Sequence, residues 1–262
     1  PLHHKSPRAY FVNSMSDLFH EGLSNADIAA VFGVMAASPQ HIFQVLTKRP
    51  ERTRDWFRWM ADFAMEQRDL ASAPSLRQTT MKAAFSAMGE TDAAKHRMDP
   101  AWAGDGDLGP WPLPNVWLGV SVEDQATADE RIPLLLDTPA VVRFVSAEPL
   151  LGPVDLTALR YEARGVVLAS TMAVDPRIDA LAGYNHNGRH TRLDWLIVGG
   201  ESGPGARPMH PDWARSLRDQ CAAAGVAYFF KQWGEWAPGP LSGLADGGVI
   251  MSRDGKRAAG RL

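Results

Sequence analysis

Six short apolar runs punctuate the chain, and each stops at a small cluster of polar residues. The runs are Tyr10-Phe11-Val12, Ile42 to Leu46, Val116 to Val120, Val141 to Val145, Trp195 to Val198 and Ala227 to Phe230. They end in Asn13-Ser14-Met15-Ser16-Asp17, Thr47-Lys48-Arg49, Ser121-Val122-Glu123-Asp124, Ser146-Ala147-Glu148, Gly199-Gly200-Glu201-Ser202-Gly203 and Lys231-Gln232-Trp233. Unbroken β-branched and aromatic runs of this length predict strands buried on both faces. In a parallel sheet their carboxyl ends share one side, where open α/β sheets and barrels gather ligand groups.

Helical spacing fills most of the gaps between the runs. Ser24, Asn25 and Asp27 offer capping oxygens ahead of Ile28, Val31, Phe32 and Met35, which predicts a first helix. Pro50 suits a first helical turn, and Trp56, Trp59, Met60 and Phe63 form an apolar stripe behind it. Residues 124–137 read as helical, with Pro133 splitting or kinking them into two short pieces. Pro211 opens another helix carrying Trp213, Leu217 and Cys221, and Gly225 stops it. Residues 71–114 read as an insertion with a helix near Thr80 to Met88, and residues 157–192 as a second, partly mobile excursion. Residues 238–262 form an irregular tail in which Gly248 to Met251 resembles a short extra strand.

Strand followed by helix, repeated along the chain, implies right-handed crossovers and a parallel sheet in a single α/β domain spanning 1–262. Six strands do not complete an eight-stranded barrel. Polar groups after nearly every strand favour an open, partial (β/α)6 barrel over a doubly wound sheet, which concentrates its ligand groups at one switch point.

Composition narrows the function classes. A net charge of −3 gives no global attraction to nucleic acid or acidic membranes. The single cysteine, Cys221, excludes an internal disulfide framework and suits a reducing compartment. No apolar stretch reaches the roughly 18 residues a membrane helix needs, so a cytoplasmic location is expected. Residue 1 is Pro and no signal-peptide pattern follows it, so the sequence reads as a fragment or a trimmed chain.

The loop from Gly199 to Pro208 carries the strongest local signal. Its glycines let backbone amides approach an anionic or planar ligand, and Glu201 can accept hydrogen bonds. It matches neither the dinucleotide fingerprint nor the phosphate loop, and a plain structural turn is the alternative. Asp17, Glu123, Glu148 and Glu201 place four acids at four strand ends, to hold a cation, to act in general acid or base catalysis, or to cap helices and pair with basic residues. Lys48, Arg49 and Lys231 supply the opposite charge, either neutralising those acids or binding an anion. Arg52, Arg54 and Arg58 read as the solvated face of a helix whose tryptophans are core. The histidines show no metal spacing beyond His186 and His190, which sit in a Gly/Asn-rich loop, and Cys221 reads as a buried packing thiol.

Six blocks carry a family resemblance: Phe11 to His20, Val45 to Pro50, Trp117 to Glu123, Phe144 to Leu150, Val198 to Gly203 and Phe230 to Gly234. Together they resemble the phage-associated three-cysteine-motif family, labelled as phage proteins gp thirty-seven and gp sixty-eight, a domain of unknown function. The blocks run from residue 11 to about 237 and leave the two excursions and the tail uncovered. The resemblance implies a radical-S-adenosylmethionine-like partial barrel, with a [4Fe-4S] cluster held by an N-terminal cysteine segment of full-length relatives. No such cysteine segment is in this sequence, so this chain by itself is expected to be inactive and no cofactor is assured in it. The matching rim residues are Asn13, Ser14, Thr47, Lys48, Ser121, Glu123, Ser146, Glu148, Gly199, Gly200, Glu201, Lys231 and Gln232. Two functions stay open. One is a radical enzyme whose rim binds S-adenosylmethionine and an unknown small-molecule or nucleic-acid-linked substrate. The other is a non-catalytic module of phage or mobile-element origin that binds a nucleotide, a metabolite or a partner protein.

Overall fold

A computed structural model describes residues 1–66, 76–88, 110–160, 177–186, 189–238 and 251–252. All six apolar runs are strands: β1 (Ala9–Val12), β2 (Ile42–Thr47), β3 (Val116–Ser121), β4 (Val142–Ala147), β9 (Trp195–Gly199) and β10 (Ala227–Gln232). They form one six-stranded parallel sheet, hydrogen-bonded in the order β1-β2-β3-β4-β9-β10. The order follows the chain without reversal, so the doubly wound alternative, which needs a switch point, is removed. Contacts divide the chain into two compact units, Pro1–Gly119 with Thr138–Val142, and Val120–Asp137 with Arg143–Leu262.

The first unit is organised by aromatic packing. Helix α1 (Asn25–Ala36) starts at a reciprocal capping box, in which Ser24 Oγ accepts from the Asp27 amide and the Asp27 carboxylate accepts from the Ser24 amide. Its far end is satisfied from outside: the Asn115 side-chain amide donates to the carbonyls of Met35 and Ser38 at 3.0 and 3.2 Å. Helix α2 (Pro50–Glu66) brings Trp56 against Phe32, with ring centroids 4.5 Å apart, and edge-on to Phe57 at 5.0 Å. Trp56 is fully buried, and its indole N–H donates to the Asn25 carbonyl at 3.1 Å. Trp111, half-buried, joins the same cluster beside Phe32, Trp56 and Phe57, and Leu113 behind it is buried, so the end of the first insertion packs against the core of this unit. Helix α3 (Leu76–Met88) packs on α1 and begins earlier than the helix read near Thr80. Arg54 also departs from expectation: it is buried and paired with Glu51 and Asp55, so only part of the arginine set on α2 is solvated.

The second unit surrounds the later strands. Helix α4 (Gln125–Asp137) runs unbroken through the buried Pro133, so the expected split does not occur. Helix α5 (Pro211–Ala224) starts with Pro at its first turn and ends at Gly225, whose φ of 65° is the left-handed conformation that stops a helix. The second excursion is not a bare loop. It holds two antiparallel pairs, β5 (Leu159–Arg160) with β6 (Arg177–Ile178) and β7 (Tyr184–His186) with β8 (Arg189–Thr191). Leu159, Ile178, Leu181 and Leu193 bury its apolar surface. In the tail, β11 (Ala237–Pro238) pairs antiparallel with β12 (Met251–Ser252), while Gly248 to Ile250 of the expected strand lie outside the described residues.

The prediction of strands buried on both faces holds for β3 and β4, weakens in β2 and β9, where buried positions alternate with half-buried ones, and fails at the margins of the sheet. β1 and β10 alternate exposed and half-buried positions, leaving Phe11 and Phe229 about half exposed at 46% and 51%. Both are edge strands, and periodicity alone does not separate an apolar edge strand from a central one. Among the described residues no helix is long and apolar enough to cross a membrane.

Candidate strand-end binding site

In the second unit the ends of β4, β9 and β10 converge on Glu148. Its carboxylate accepts from Lys231 Nζ at 2.8 Å and from Gln232 Nε2 at 3.1 Å. Two consecutive residues of one strand normally point to opposite faces, yet both of these reach the same carboxylate. The register explains it: Phe230 pairs with Val198 but Gln232 pairs with Gly199, so Lys231 is an extra, bulged residue and Gln232 is re-aimed. Gly199 makes room on the other side, since a Cβ there would lie 3.1 Å from the Glu148 carboxyl carbon. Gln232 Nε2 also donates to Ser202 Oγ at 3.3 Å. The Glu148 side chain is 20% exposed and that of Lys231 50%, so the pair is accessible from solvent.

The glycine-rich loop resolves into backbone contacts. The Gly200 amide donates to the Gln232 carbonyl at 2.9 Å, and the Glu235 amide donates to the Glu201 carbonyl at 2.8 Å. A Cβ on Gly200 would run into the Trp233 carbonyl, and one on Gly234 into the Glu201 carbonyl. These glycines let two backbone segments touch, which accounts for them without a ligand. Glu201 takes a two-pronged ion pair from Arg207, with Nε and Nη2 at 2.8 and 2.9 Å, plus the Arg207 amide at 2.8 Å. Those hydrogen bonds hold the Glu201 carboxyl down at about 2, the reverse of the upward shift a general acid or base needs. Glu123 pairs with Arg131 Nη1 at 2.9 Å, both side chains largely buried, and the same nitrogen donates to the Ser121 carbonyl. Ser121 and Ser146 are buried on their strands, and the Ser146 carbonyl accepts from the Val122 amide at 2.9 Å.

In the first unit Asp17 is a fastener. It accepts from the Phe19 amide, from Thr47 Oγ1 at 2.8 Å, from the Lys48 amide at 3.0 Å and from Arg49 Nη1 at 3.3 Å. Thr47 is buried, and its hydroxyl also accepts from the Arg49 amide. The polar edges after β1 and β2 are therefore bonded to one another. Asn13 and Ser14 lie exposed in the turn closed by the Ser16 amide on the Asn13 carbonyl, and Asn13 has a φ of 56°. Lys48 is exposed at the start of the segment that leads into α2.

A family model described as "Protein of unknown function (DUF5131)" matches residues 1–262. The chain belongs to this family. The match takes in both excursions and the tail, which the six recognisable blocks left uncovered. No curated protein and no solved structure matches the chain.

Sequence reading of this DUF5131 protein named the acids Glu123 and Glu201 and missed their partners Arg131 and Arg207, as it missed the bond from Gln232 to Ser202. The Glu201 to Arg207 pair had a signal, since Gly203-Pro204-Gly205 between them is a turn that folds the chain back. Among the described residues no group of three or more His, Cys, Asp or Glu is placed to hold a metal ion. His190 sits exposed on β8 and pairs in register with Asn185, in a hairpin where a Gly/Asn-rich loop was expected.

Cys221 is fully buried on α5, and burial pushes its thiol from 9.0 up to about 11. Nearby Tyr228, whose hydroxyl donates to the Ala214 carbonyl at 3.1 Å, is pushed from 10.0 up to about 12 by burial first and by Cys221 second. Raised values mean that both groups contribute stability fully present below pH 9 and lost as pH climbs through 11 and 12. For Cys221 this amounts to about 2–3 kcal/mol. Urea melts between pH 8 and 12 are expected to show that loss in the native DUF5131 protein and a smaller one in Cys221→Ala. Equal alkaline slopes would contradict it.

Proposed function

We propose that this DUF5131 chain is a radical-S-adenosylmethionine-like partial barrel whose strand ends hold a small polar ligand, its own residues acting in binding. The observation that carries the reading is the Glu148, Lys231 and Gln232 group, supplied by neighbouring strand ends and accessible to solvent. Sequential strand order supports the barrel, because a singly wound parallel sheet places every strand end on one side.

The residues present do not fit an iron-sulfur cluster. A [4Fe-4S] centre is held by several thiolates, whereas the sequence has one cysteine, fully buried on α5 with its thiol held protonated. No chemical step is therefore assigned to such a group. A second reading, a non-catalytic module of phage or mobile-element origin that binds a nucleotide, a metabolite or a partner protein, needs no such donors.

Titration calorimetry with S-adenosylmethionine, paired with anaerobic iron and sulfide reconstitution of the complete gene product, tests the choice. Saturable binding lost in Glu148→Gln supports the strand-end site. Cluster absorption with 5′-deoxyadenosine release supports the radical reading. The absence of both spectroscopic and product signals overturns that reading in favour of the module, and binding that Glu148→Gln leaves unchanged overturns the site.

A further inference from the structure

The second excursion carries a charge opposite to that of the whole chain. Residues 157–192 hold five Arg, no Lys and three Asp or Glu, within a chain whose net charge is −3. Its first ribbon concentrates that charge. β5 and β6 are antiparallel, with Leu159 opposite Ile178 and Arg160 opposite Arg177. Leu159 and Ile178 are buried and β5 packs on helix α4, whereas both arginines are exposed, so one face of the ribbon is apolar and turned inward and the other presents guanidinium groups to solvent. Arg192 continues the charge along the excursion. The Leu193 amide donates to the Ala180 carbonyl at 2.8 Å, both of those residues are buried, and Arg192 beside them is exposed.

Like charges directly opposite on paired strands have Cβ atoms about 5 Å apart and destabilise the pairing. A ribbon of two residues per strand gains no stability from such a pair, and an anion held by both guanidiniums reverses the sign of the interaction. Acids beside the ribbon are turned to amides: Asp129 Oδ1 accepts from the Arg160 amide at 3.1 Å, and Asp179 Oδ1 from the amides of Leu181 and Ala182 at 2.9 and 2.8 Å. The guanidinium fork matches two phosphate oxygens at once. Surface composition separates the partner classes. A protein interface has an apolar centre and a membrane surface takes apolar anchors, yet among the described residues of 157–192 no large apolar side chain is exposed. Phosphates repeated along a polymer need only spaced cations. We propose that the outer face of the β5 and β6 ribbon, with Arg160 and Arg177 continued by Arg192, binds the phosphate backbone of a nucleic acid. This surface uses none of the strand-end residues and is independent of the Glu148 site.

Fluorescence anisotropy of a labelled DNA duplex of about 20 base pairs, with a single strand of equal length beside it, measures binding between about 50 and 200 mM salt. Saturable binding is expected, with a slope of log affinity against log salt of about −3 for the duplex. Arg160→Gln and Arg177→Gln are each expected to weaken it about fivefold or more and to reduce the slope by about 1, while Arg160→Lys keeps the slope. Arg215→Gln removes the same charge from an exposed arginine of α5 and is expected to stay within about twofold of the native affinity. Preference for the duplex or for the single strand supports the phosphate assignment and tells which polymer fits the ribbon. Circular dichroism checks that each variant folds, which the exposure of both arginines favours. No saturable binding at the lowest salt would overturn the proposal, as would a loss in Arg215→Gln equal to that in Arg160→Gln, which would reduce the effect to net charge. Displacement of the duplex by polyglutamate or by anionic lipid vesicles at equal charge concentration would overturn the nucleic-acid assignment in favour of an acidic protein or a membrane surface.

Discussion

Gly200→Ala is expected to cost about 3 kcal/mol or more, lowering Tm by roughly 6 to 12 °C. The new Cβ would occupy the position of the Trp233 carbonyl and sit 2.6 Å from the Trp233 carbonyl carbon. Neither atom is the end of a flexible side chain, so the backbone itself must separate. That separation breaks the bond from the Gly200 amide to the Gln232 carbonyl and draws Gln232 away from Glu148. Gly203→Ala is the control. Its φ of 104° disfavours a side chain, but a Cβ there meets nothing within 4 Å, so a cost nearer 1 kcal/mol is expected. Thermal melts followed by circular dichroism compare the two. A Gly200→Ala protein melting within about 2 °C of the native one would show that the segments yield easily.

Trp56→Ala is expected to cost about 3–5 kcal/mol, because a fully buried indole leaves a cavity among Phe19, Phe32, Phe57 and Trp111. The Asn25 carbonyl at the start of α1 loses its indole partner as well. Trp56→Phe separates the two effects: it keeps a ring in the cluster and removes only the hydrogen bond and part of the volume, so a loss of roughly 1–2 kcal/mol is expected. Urea denaturation with linear extrapolation measures both. Equal losses in the two variants would assign the cost to the hydrogen bond, against the packing account.

What the sequence made legible was set by local physics. The six strands were readable because each is a short β-branched or aromatic run ending in polar residues, and helix α1 because Ser24 and Asp27 have capping spacing. Its partner contacts were not readable, since they join distant residues. Thr47 bonds to Asp17 across thirty positions, and Lys231 to Glu148 across eighty-three. Pro133 misled for a similar reason: local propensity breaks a helix there, whereas burial of Ile132, Pro133, Leu135 and Leu136 holds it together. Trp111 lay among prolines and glycines that mark a surface loop, and only the tertiary cluster draws its half-buried ring against the core. The alternation of β10 was visible only with Lys231 and Gln232 assigned to the strand, and the bulge that turns both toward Glu148 leaves no mark in a single sequence.

Each strand of the main sheet lies beside the one translated just before it. Loop-closure entropy grows only with the logarithm of the intervening length, so the long gap between β4 and β9 adds little to the cost of joining them. A nascent chain could thus lay down the sheet row by row as it leaves the ribosome, with no early strand waiting for a partner from the distant C-terminus. Gene-level insertions between neighbouring strands would then change the length of one connection and leave the order of assembly intact.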